Sequence, residues 1–213
     1  KIIGDGVGVL TTADEGSLKL QTGTTSASFL SFADGDNNRG YVKYDHNDDS
    51  LELGVAGESH FKIDSAHILT MDKQPAFNAN NSNASQNNFA VSSLVTVNFA
   101  VERFDQNGDF DNTNMVFTAP VTGRYLLTYT LRLGAIDDAS EYYLSRINTS
   151  NRNYSMLWDS NEFSSDQDYV FMQNTALADM DANDTAKIIV YQNSGTQQSD
   201  VQDDSYFTGH LVC

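Results

Sequence analysis

Apolar and polar residues alternate clearly along two stretches in the C-terminal two-thirds of the chain. From Tyr125 to Leu133 every odd position is apolar or aromatic, and Leu126 is the one apolar even position. From Val95 to Val101 the odd positions are again apolar, and most of the even ones are polar. A period of two predicts β-strands with one buried face. On the second stretch, Leu127 is therefore predicted to lie in a hydrophobic core.

A polar, glycine-containing segment connects these two predicted strands. Pro120 and Gly123 predict a tight turn before the second strand, because proline presets φ and glycine accepts a positive φ. Beyond this turn the alternation continues, with polar segments between the runs. The predicted strands cover residues 124–134, 141–148, 152–159, 168–178, 186–193 and 205–212.

The first third of the chain carries shorter apolar runs. Between Ser28 and Met71 these runs recur about every ten residues, separated by polar turns such as Asp34–Asn38, which predicts an all-β meander. Residues 1–28, rich in glycine, threonine and serine, favour short strands in an extended stalk. Each strand has few large side chains, so a single copy would bury little apolar surface. We therefore expect this part to wind around identical chains.

The spacing of aromatic, aspartate and glycine residues from Phe99 to Tyr129 resembles the signature of the C1q-like globular head. This head is a jelly roll of the C1q/tumour-necrosis-factor superfamily. Asp184, preceded by an asparagine, stands where the family has a Gly-Asp turn, and residues 75–79 and 205–212 resemble its first and last strands. Leu127 replaces the usual phenylalanine and keeps the position apolar. The residues in register are Phe99, Asp105, Phe110, Phe117, Gly123, Tyr125 and Tyr129.

Residues 40–46, 49–53 and 61–65 resemble the distal shaft repeats of phage tail fibres. We therefore predict an all-β chain in two parts. Residues 1–74 form a short-stranded, intertwined and trimeric fibre shaft segment, and residues 75–213 form a C1q/TNF-like jelly-roll β-sandwich. The resemblance to C1q implies a homotrimer.

Composition narrows the range of partners. The formal net charge is −17, and both the first 74 residues and the remainder are acidic, which argues against nucleic acid and against adhesion to anionic lipid. No apolar run is long enough for membrane insertion, and no signal peptide is recognisable. Cys213 is the only cysteine, so stability must come from packing or oligomerisation and not from an intrachain disulfide.

Motifs for catalysis and metal binding are weak. The loop Asp105–Asp111 has a glycine at its fourth place and Val116 at its twelfth, whereas an EF-hand needs glycine sixth and glutamate twelfth between helices. The four histidines lack zinc-site spacing, and no Gly-x-Ser-x-Gly elbow occurs. A capsule-degrading spike would normally need a longer β-helix. We therefore expect no enzyme.

One acidic group of loops stands out. If the strands after Gly123 alternate in direction, loops 135–140, 160–167 and 194–204 share the end that faces away from the stalk. The group can be a solvated acidic cap, or a receptor-binding tip with calcium at Asp203 and Asp204. If it is only a cap, Tyr154 and Trp158 on the flanks become the first candidates. The predicted receptor-binding residues are Asp137, Asp138, Glu162, Phe163, Asp166, Asp200, Asp203 and Asp204.

These features together favour the tip of a viral tail fibre, located on the virion and extracellular. It would continue an upstream fibre shaft and bind a host cell-surface glycan or outer-membrane receptor. It requires no cofactor, and the one candidate ion is calcium at the trimer tip. The alternative is a C1q-like tip of a bacterial surface or spore-coat filament. Such filaments commonly have collagen-like Gly-x-y stalks, and residues 1–74 show none.

Overall fold

The computed structural model describes residues 7–11, 16–35, 39–81 and 84–213. The chain divides into two compact units, Lys1–Lys73 and Gln74–Cys213. Apart from a 3-10 helix at Ser160–Glu162, the regular structure of the described residues is β-strand, which confirms the predicted all-β class. Residues 1–6 and 12–15 of the predicted stalk, and 36–38 of a predicted turn, lie outside the described residues.

The N-terminal unit contains a hairpin and a five-stranded sheet. In the hairpin, β1 (Val7–Thr11) pairs with β2 (Gly16–Leu20). The sheet is an antiparallel meander in chain order, as the spacing of its apolar runs predicts. Its strands are β3 (Ala27–Phe32), β4 (Gly40–Asp45), β5 (Ser50–Val55), β6 (Glu58–Ile63) and β7 (Leu69–Thr70).

The C-terminal unit is a sandwich of two antiparallel sheets. The first half of its strands are β8 (Ala76–Asn80), β9 (Val95–Thr96), β10 (Val101–Asp105), β11 (Phe110–Asp111), β12 (Val116–Thr118) and β13 (Gly123–Ile136). The second half are β14 (Tyr143–Thr149), β15 (Asn153–Trp158), β16 (Gln167–Met180), β17 (Thr185–Gln192), β18 (Asp200–Val201) and β19 (Tyr206–Leu211). Sheet I has the order β10-β8-β19-β13-β16, with β18 also on β13. Sheet II has the order β11-β12-β17-β14-β15, with β9 also on β17. This is the predicted jelly-roll sandwich.

The core lies between the two sheets, and β13 supplies its longest row. The five odd residues from Tyr125 to Leu133 are fully buried, as their alternation predicts. Beside them an aromatic group centres on Phe77, whose ring centroid lies 4.8 Å from that of Phe117 and 4.9 Å from that of Phe207. Aromatic pairs at these distances add to the hydrophobic effect of burial.

The stretch Val95–Val101 is not the single strand that its alternation predicts. Its first two residues form β9 on sheet II, and its last begins β10 on sheet I. Val97 and Phe99 lie between, fully buried, where the chain crosses from one sheet to the other. The Val97 N–H still donates to the Ile188 carbonyl at 3.0 Å. Every second residue therefore stays buried where the chain crosses between the sheets, although regular strand pairing is interrupted there.

Gly123 has a different role from the one its sequence context predicts. It is the first residue of β13 and does not have a positive φ. A Cβ atom there would lie 2.7 Å from the carbonyl oxygen of Cys213 and from Leu211 Cδ1. Glycine is required by this close approach of the C-terminal strand. A positive φ is found instead at Asn183, where φ is 74°, and this is the position at which the family resemblance puts a glycine.

Leu127 and Gly209 give a test of core packing. A Cβ atom at Gly209 would lie 2.6 Å from Leu127 Cδ2 and 2.7 Å from Phe77 Cε1, so the glycine makes room for both side chains. We predict that Leu127→Ala lowers the free energy of unfolding by about 2–5 kcal/mol, because it leaves a cavity. Gly209→Ala should cost about 1–3 kcal/mol through overpacking. In the double variant the added methyl group fills part of the cavity. Urea unfolding should therefore show a loss of stability smaller than the sum of the two single-variant losses. Fully additive costs would contradict the contact.

A buried hydrogen bond between the sheets gives a second test. The hydroxyls of Tyr129 and Ser145 lie 2.6 Å apart, and burial raises the pKa of Tyr129 to about 12 although this bond opposes the rise. A tyrosine of the unfolded chain ionises near pH 10, so stability is lost as the pH rises from about 10 towards 12. By pH 11 the loss should be about 1.4 kcal/mol. Urea unfolding between pH 8 and 11 should show that Tyr129→Phe removes this loss. The exposed control Tyr169→Phe should keep it, and an unchanged pH dependence in Tyr129→Phe would contradict the assignment.

Candidate functional site

The two ends of the sandwich differ in what they carry. Near the start of β13, Leu211 N–H donates to the Pro75 carbonyl, and Arg124 N–H donates to that of Cys213. Residues from both ends of the head therefore lie here. The strand ends at Ile136 beside Gln167. At about 3.3 Å per residue, its 14 residues separate these ends by roughly 40 Å. The loops 137–142, 159–166 and 193–199 therefore lie far from the junction, and we call them the distal loops.

Asp137 ties two of the distal loops together. It follows β13 directly and is buried. Its Oδ2 accepts the N–H groups of Thr196 and, at 2.6 Å, of Gln197, and its Oδ1 accepts that of Ala139 at 2.9 Å. Burial opposes ionisation, yet these donors, that of Gln197 first, hold the pKa of Asp137 below its ordinary value. The receptor contact of Asp137 stays a prediction, and the burial of this carboxylate weighs against it, because the carboxylate is enclosed and positions the loops around it.

Asp138 and Asp166 form an acidic pair beside Asp137. The Asp138 N–H donates to Asp166 Oδ1 at 3.0 Å, and single carboxylate oxygens of the three residues lie within 4.8 Å of one another. Burial, followed by a hydrogen bond with Asp166, raises the pKa of Asp138. Three carboxylates fall short of the roughly six to eight oxygens that calcium takes, and Asp137 already has its donors.

The predicted calcium ligands Asp203 and Asp204 already face a cation. Arg132 on β13 places its Nη1 3.3 Å from the first carboxylate and 3.2 Å from the second. The same guanidinium lies over the Tyr169 ring, with its Cζ 4.2 Å from the centroid. Their calcium site stays a prediction, and the arginine weighs against it, because the repulsion that a metal would relieve is already offset. The alternation along β13 predicts only that Arg132 is polar and faces away from the core, and it does not indicate that Arg132 pairs with these two aspartates.

Asp200 is held by neighbours of its own. Its Oδ1 accepts the Asn88 N–H at 2.7 Å, and its Oδ2 accepts from Gln202 Nε2 at 3.3 Å. The Gln202 side chain lies against Gly134, where a Cβ atom would be 2.3 Å from its Nε2. Asp200 is thus held in place beside β13 by these hydrogen bonds. The role of Gln202 is not predicted by the sequence.

An aromatic patch borders the distal loops. The 3-10 helix carries Glu162 and leads into Phe163, and it is anchored where Ser160 Oγ donates to the Ser140 carbonyl at 2.6 Å. The Phe163 ring, 37 % exposed, lies 5.2 Å from that of Trp158. The sequence predicts Trp158 on the flank of the head, as an alternative to the loops. The structure instead joins it to Phe163, so the two candidate regions are continuous.

Sheet I carries exposed apolar residues on its outer face. Tyr169, Phe171 and Leu177 on β16, and Tyr206 on β19, all remain exposed, and β16 is an edge strand of 14 residues. A long edge next to exposed aromatic residues is typical of a surface that another protein chain covers.

Asp137 supplies the test of how the tip is built. We predict that Asp137→Asn destabilises the head by about 1.5–3 kcal/mol, because hydrogen bonds to an ionised acceptor are lost and the amide would turn a donor towards other donors. Asp138→Asn removes a carboxylate from the same loop and should change stability by about 0.5 kcal/mol or less. Thermal unfolding at pH 7 measures both.

The pH dependence of this difference follows from the depressed pKa of Asp137. Its contribution to stability is present above the pKa of an unfolded aspartate, about 3.9, and is lost as the pH falls through the lower pKa of the folded state. The difference in free energy of unfolding between the native chain and Asp137→Asn should therefore become smaller towards pH 3. A gap that is constant with pH would mean that ionisation of Asp137 does not contribute.

Two antiparallel sheets in this order define a jelly roll of the C1q/TNF type. Residues 76–212 match the C1q domain family, and the chain belongs to this family. No curated protein sequence matches the chain. None of the described helices is long and apolar enough to cross a membrane.

Several solved structures are similar in fold, and each comparison covers 66 % of this chain. The globular domain of zebrafish complement 1qA protein is 17 % identical, with a TM-score of 0.48 over 98 % of that chain. Murine APRIL at pH 8.0 is 9 % identical, with a TM-score of 0.47 over 100 % of that chain. The PRD1 vertex protein P5 is 11 % identical, with a TM-score of 0.42 over 98 % of that chain.

Proposed function

We propose that this chain is the receptor-binding tip of a viral tail fibre, with residues 1–74 as a shaft segment and residues 75–213 as the head. Its ligand would be a host cell-surface glycan or an outer-membrane component. C1q/TNF-like domains are generally binding or structural domains without enzymatic activity, which agrees with a role in attachment.

One observation carries the proposal: the distal loops lie at the end of the head opposite the junction at Pro75. A domain held by one end presents its other end first to whatever it meets. That end has loops fixed by the buried Asp137, together with the exposed ring of Phe163. Loops positioned by a rigid sandwich are where binding residues concentrate. The distal loops are therefore the proposed receptor site.

The proposed assembly is a homotrimer, the state that C1q and TNF-family domains commonly adopt. The exposed outer face of sheet I, with Phe171 and Leu177 on its edge strand, is the proposed contact surface in the head. Three heads around one axis repeat each distal site three times. Repetition raises avidity without new contacts, so a weak single site suffices for attachment.

Charge narrows the proposed ligand. The net charge of −17 and the pair Asp138 and Asp166 at the tip repel anionic groups. A neutral glycan, or one bearing amino groups, fits this surface better than a strongly anionic one, because like charges across an interface oppose binding. The aromatic patch of Phe163 and Trp158 offers a flat apolar surface for the ring of a sugar.

Attachment gives the direct test. A panel of bacterial strains is first screened with the labelled full-length chain to find one that it binds. We predict that Phe163→Ala then lowers binding at least about fivefold, as expected when an interface loses more than about 1 kcal/mol. The matched control is Val121→Ala, which trims a side chain of similar exposure, 47 %, next to the start of β13. Flow cytometry measures both. Equal binding by both variants would move the receptor site away from the distal loops.

A further inference from the structure

In the five-stranded sheet of the N-terminal unit, polar residues are buried on one face while apolar residues on the other face are exposed to water. Along β5 the buried residues are Ser50, Glu52 and Gly54, while Leu51, Leu53 and Val55 are 36 %, 43 % and 65 % exposed. A half-buried strand of a soluble protein ordinarily has its apolar residues inside. The burial along β5 is the reverse of this.

The polar face is complete within one chain. Lys43 Nζ donates to both oxygens of Glu52 at 3.3 Å, and Lys62 Nζ donates to Asp48 at 2.9 Å. Burial opposes ionisation of Glu52, yet the hydrogen bond from Lys43 holds its pKa below the ordinary value. The ring of Tyr41 lies against Gly54, where a Cβ atom would be 2.2 Å from it. These charges are paired in the chain and need no partner.

The opposite side of the sheet is continuous and apolar across four strands. The register places Leu30, Val42, Leu53 and Phe61 in one row across β3 to β6. The adjacent row contains Leu51 and Ile63, next to each other on β5 and β6, and neither row contains a charged residue. We call this surface the apolar face of the shaft sheet, and it is defined by Leu30, Val42, Leu51, Leu53, Phe61 and Ile63.

The apolar face is large enough to matter energetically. Leu30 is 46 % exposed, and Leu51, Leu53 and Val55 are 36 %, 43 % and 65 % exposed, so the sheet leaves roughly a few hundred Å² of apolar surface in contact with water. This is a substantial part of the about 800 Å² that each partner contributes to a stable interface, to which the heads would add their own contact. Monomers rarely leave so large an apolar patch in contact with water.

We propose that the apolar face of the shaft sheet packs against the same face of the other copies of this chain. The inference rests on the homotrimer proposed above and adds a second interface to it. Only five residues separate β7, which ends at Thr70, from β8, which begins at Ala76, in a head whose family is commonly homotrimeric. Association of the heads therefore tethers identical sheets at high effective concentration.

The chemistry of the face also favours an identical partner. An uncharged apolar surface matches its own copy without needing opposite charges, so each chain supplies the complement of the next. A partner of different chemistry, such as a basic protein, would find no carboxylates within these two rows, because Asp48 and Glu52 are paired with lysines on the other face. Packing of identical copies also supplies the second layer that a single sheet needs for stability.

Cysteine cross-linking of the full-length chain tests the proposal. Single variants Leu51→Cys, Leu53→Cys and Val55→Cys are each made with Cys213→Ser, so that only one thiol is present. The control is Ile68→Cys, which is 57 % exposed but lies in the turn before β7. Mild oxidation at micromolar concentration should link copies at one or more of the three β5 positions and not at Ile68. Sedimentation velocity gives the assembly mass alongside.

The outcomes separate the two proposals. A trimeric mass with no link at any β5 position, or with equal linking at Ile68, overturns the inference and leaves the proposed head trimer and receptor site standing. A monomeric mass overturns the inference and the homotrimer together, while binding by Phe163→Ala still tests the receptor site.

Hydrogen exchange provides a second measurement that does not depend on thiol geometry. Leu53→Glu would bury a charge between copies, so amides of β4, β5 and β6 in the trimer should exchange at least about tenfold faster than in the native chain. Ile68→Glu should change their exchange less than about threefold. Native exchange rates in Leu53→Glu would show that the apolar face is in water and would overturn the inference.

Discussion

The inward row of β13 is the constraint on which the rest of the head depends. Its five odd side chains from Tyr125 to Leu133 fill the space between the sheets, and β19 and β16 pair along its two edges. A register slip of one residue would put this whole row in water and its polar neighbours in the core. Burial therefore fixes the register of sheet I. The close approach of the last strand at Gly123 and the fit of Leu127 to Gly209 both presuppose that register.

The distal loops inherit their positions from the same strand. Near the end of β13 Ala135 has a positive φ of 52°, and the next residues are the buried Ile136 and Asp137. The Asp137 carboxylate then gathers N–H groups from two loops that are distant in sequence. A buried charge of this kind is tolerated because several donors replace its water. The tip is thus held by a polar anchor on the end of an apolar strand.

Sequence reasoning succeeded where one strong local pattern governs the outcome. The alternation along β13 predicts its buried face, and Asn183 occupies the turn that the family resemblance assigns to a Gly-Asp pair. It failed where two distant segments meet. Nothing local to Val97 shows that the chain changes sheet there, and the pairing of Asp203 with Arg132 joins residues 71 apart in the chain. Carboxylates that look alike in sequence differ in the structure, because only the fold decides which of them meet donors.

The N-terminal sheet shows a further limit of period-two patterns. Such a pattern states that one face is apolar and the other polar, but it does not state which chain covers the apolar one. In the head, Leu127 is covered by the second sheet of its own chain. In β5 the equally regular Leu51, Leu53 and Val55 stay exposed, while Glu52 is enclosed by the lysines of neighbouring strands. The same physical rule thus gives a tertiary core in one unit and an open apolar face in the other. Exposure of this apolar face to water is unfavourable in free energy, and packing against further copies of the chain would remove that cost.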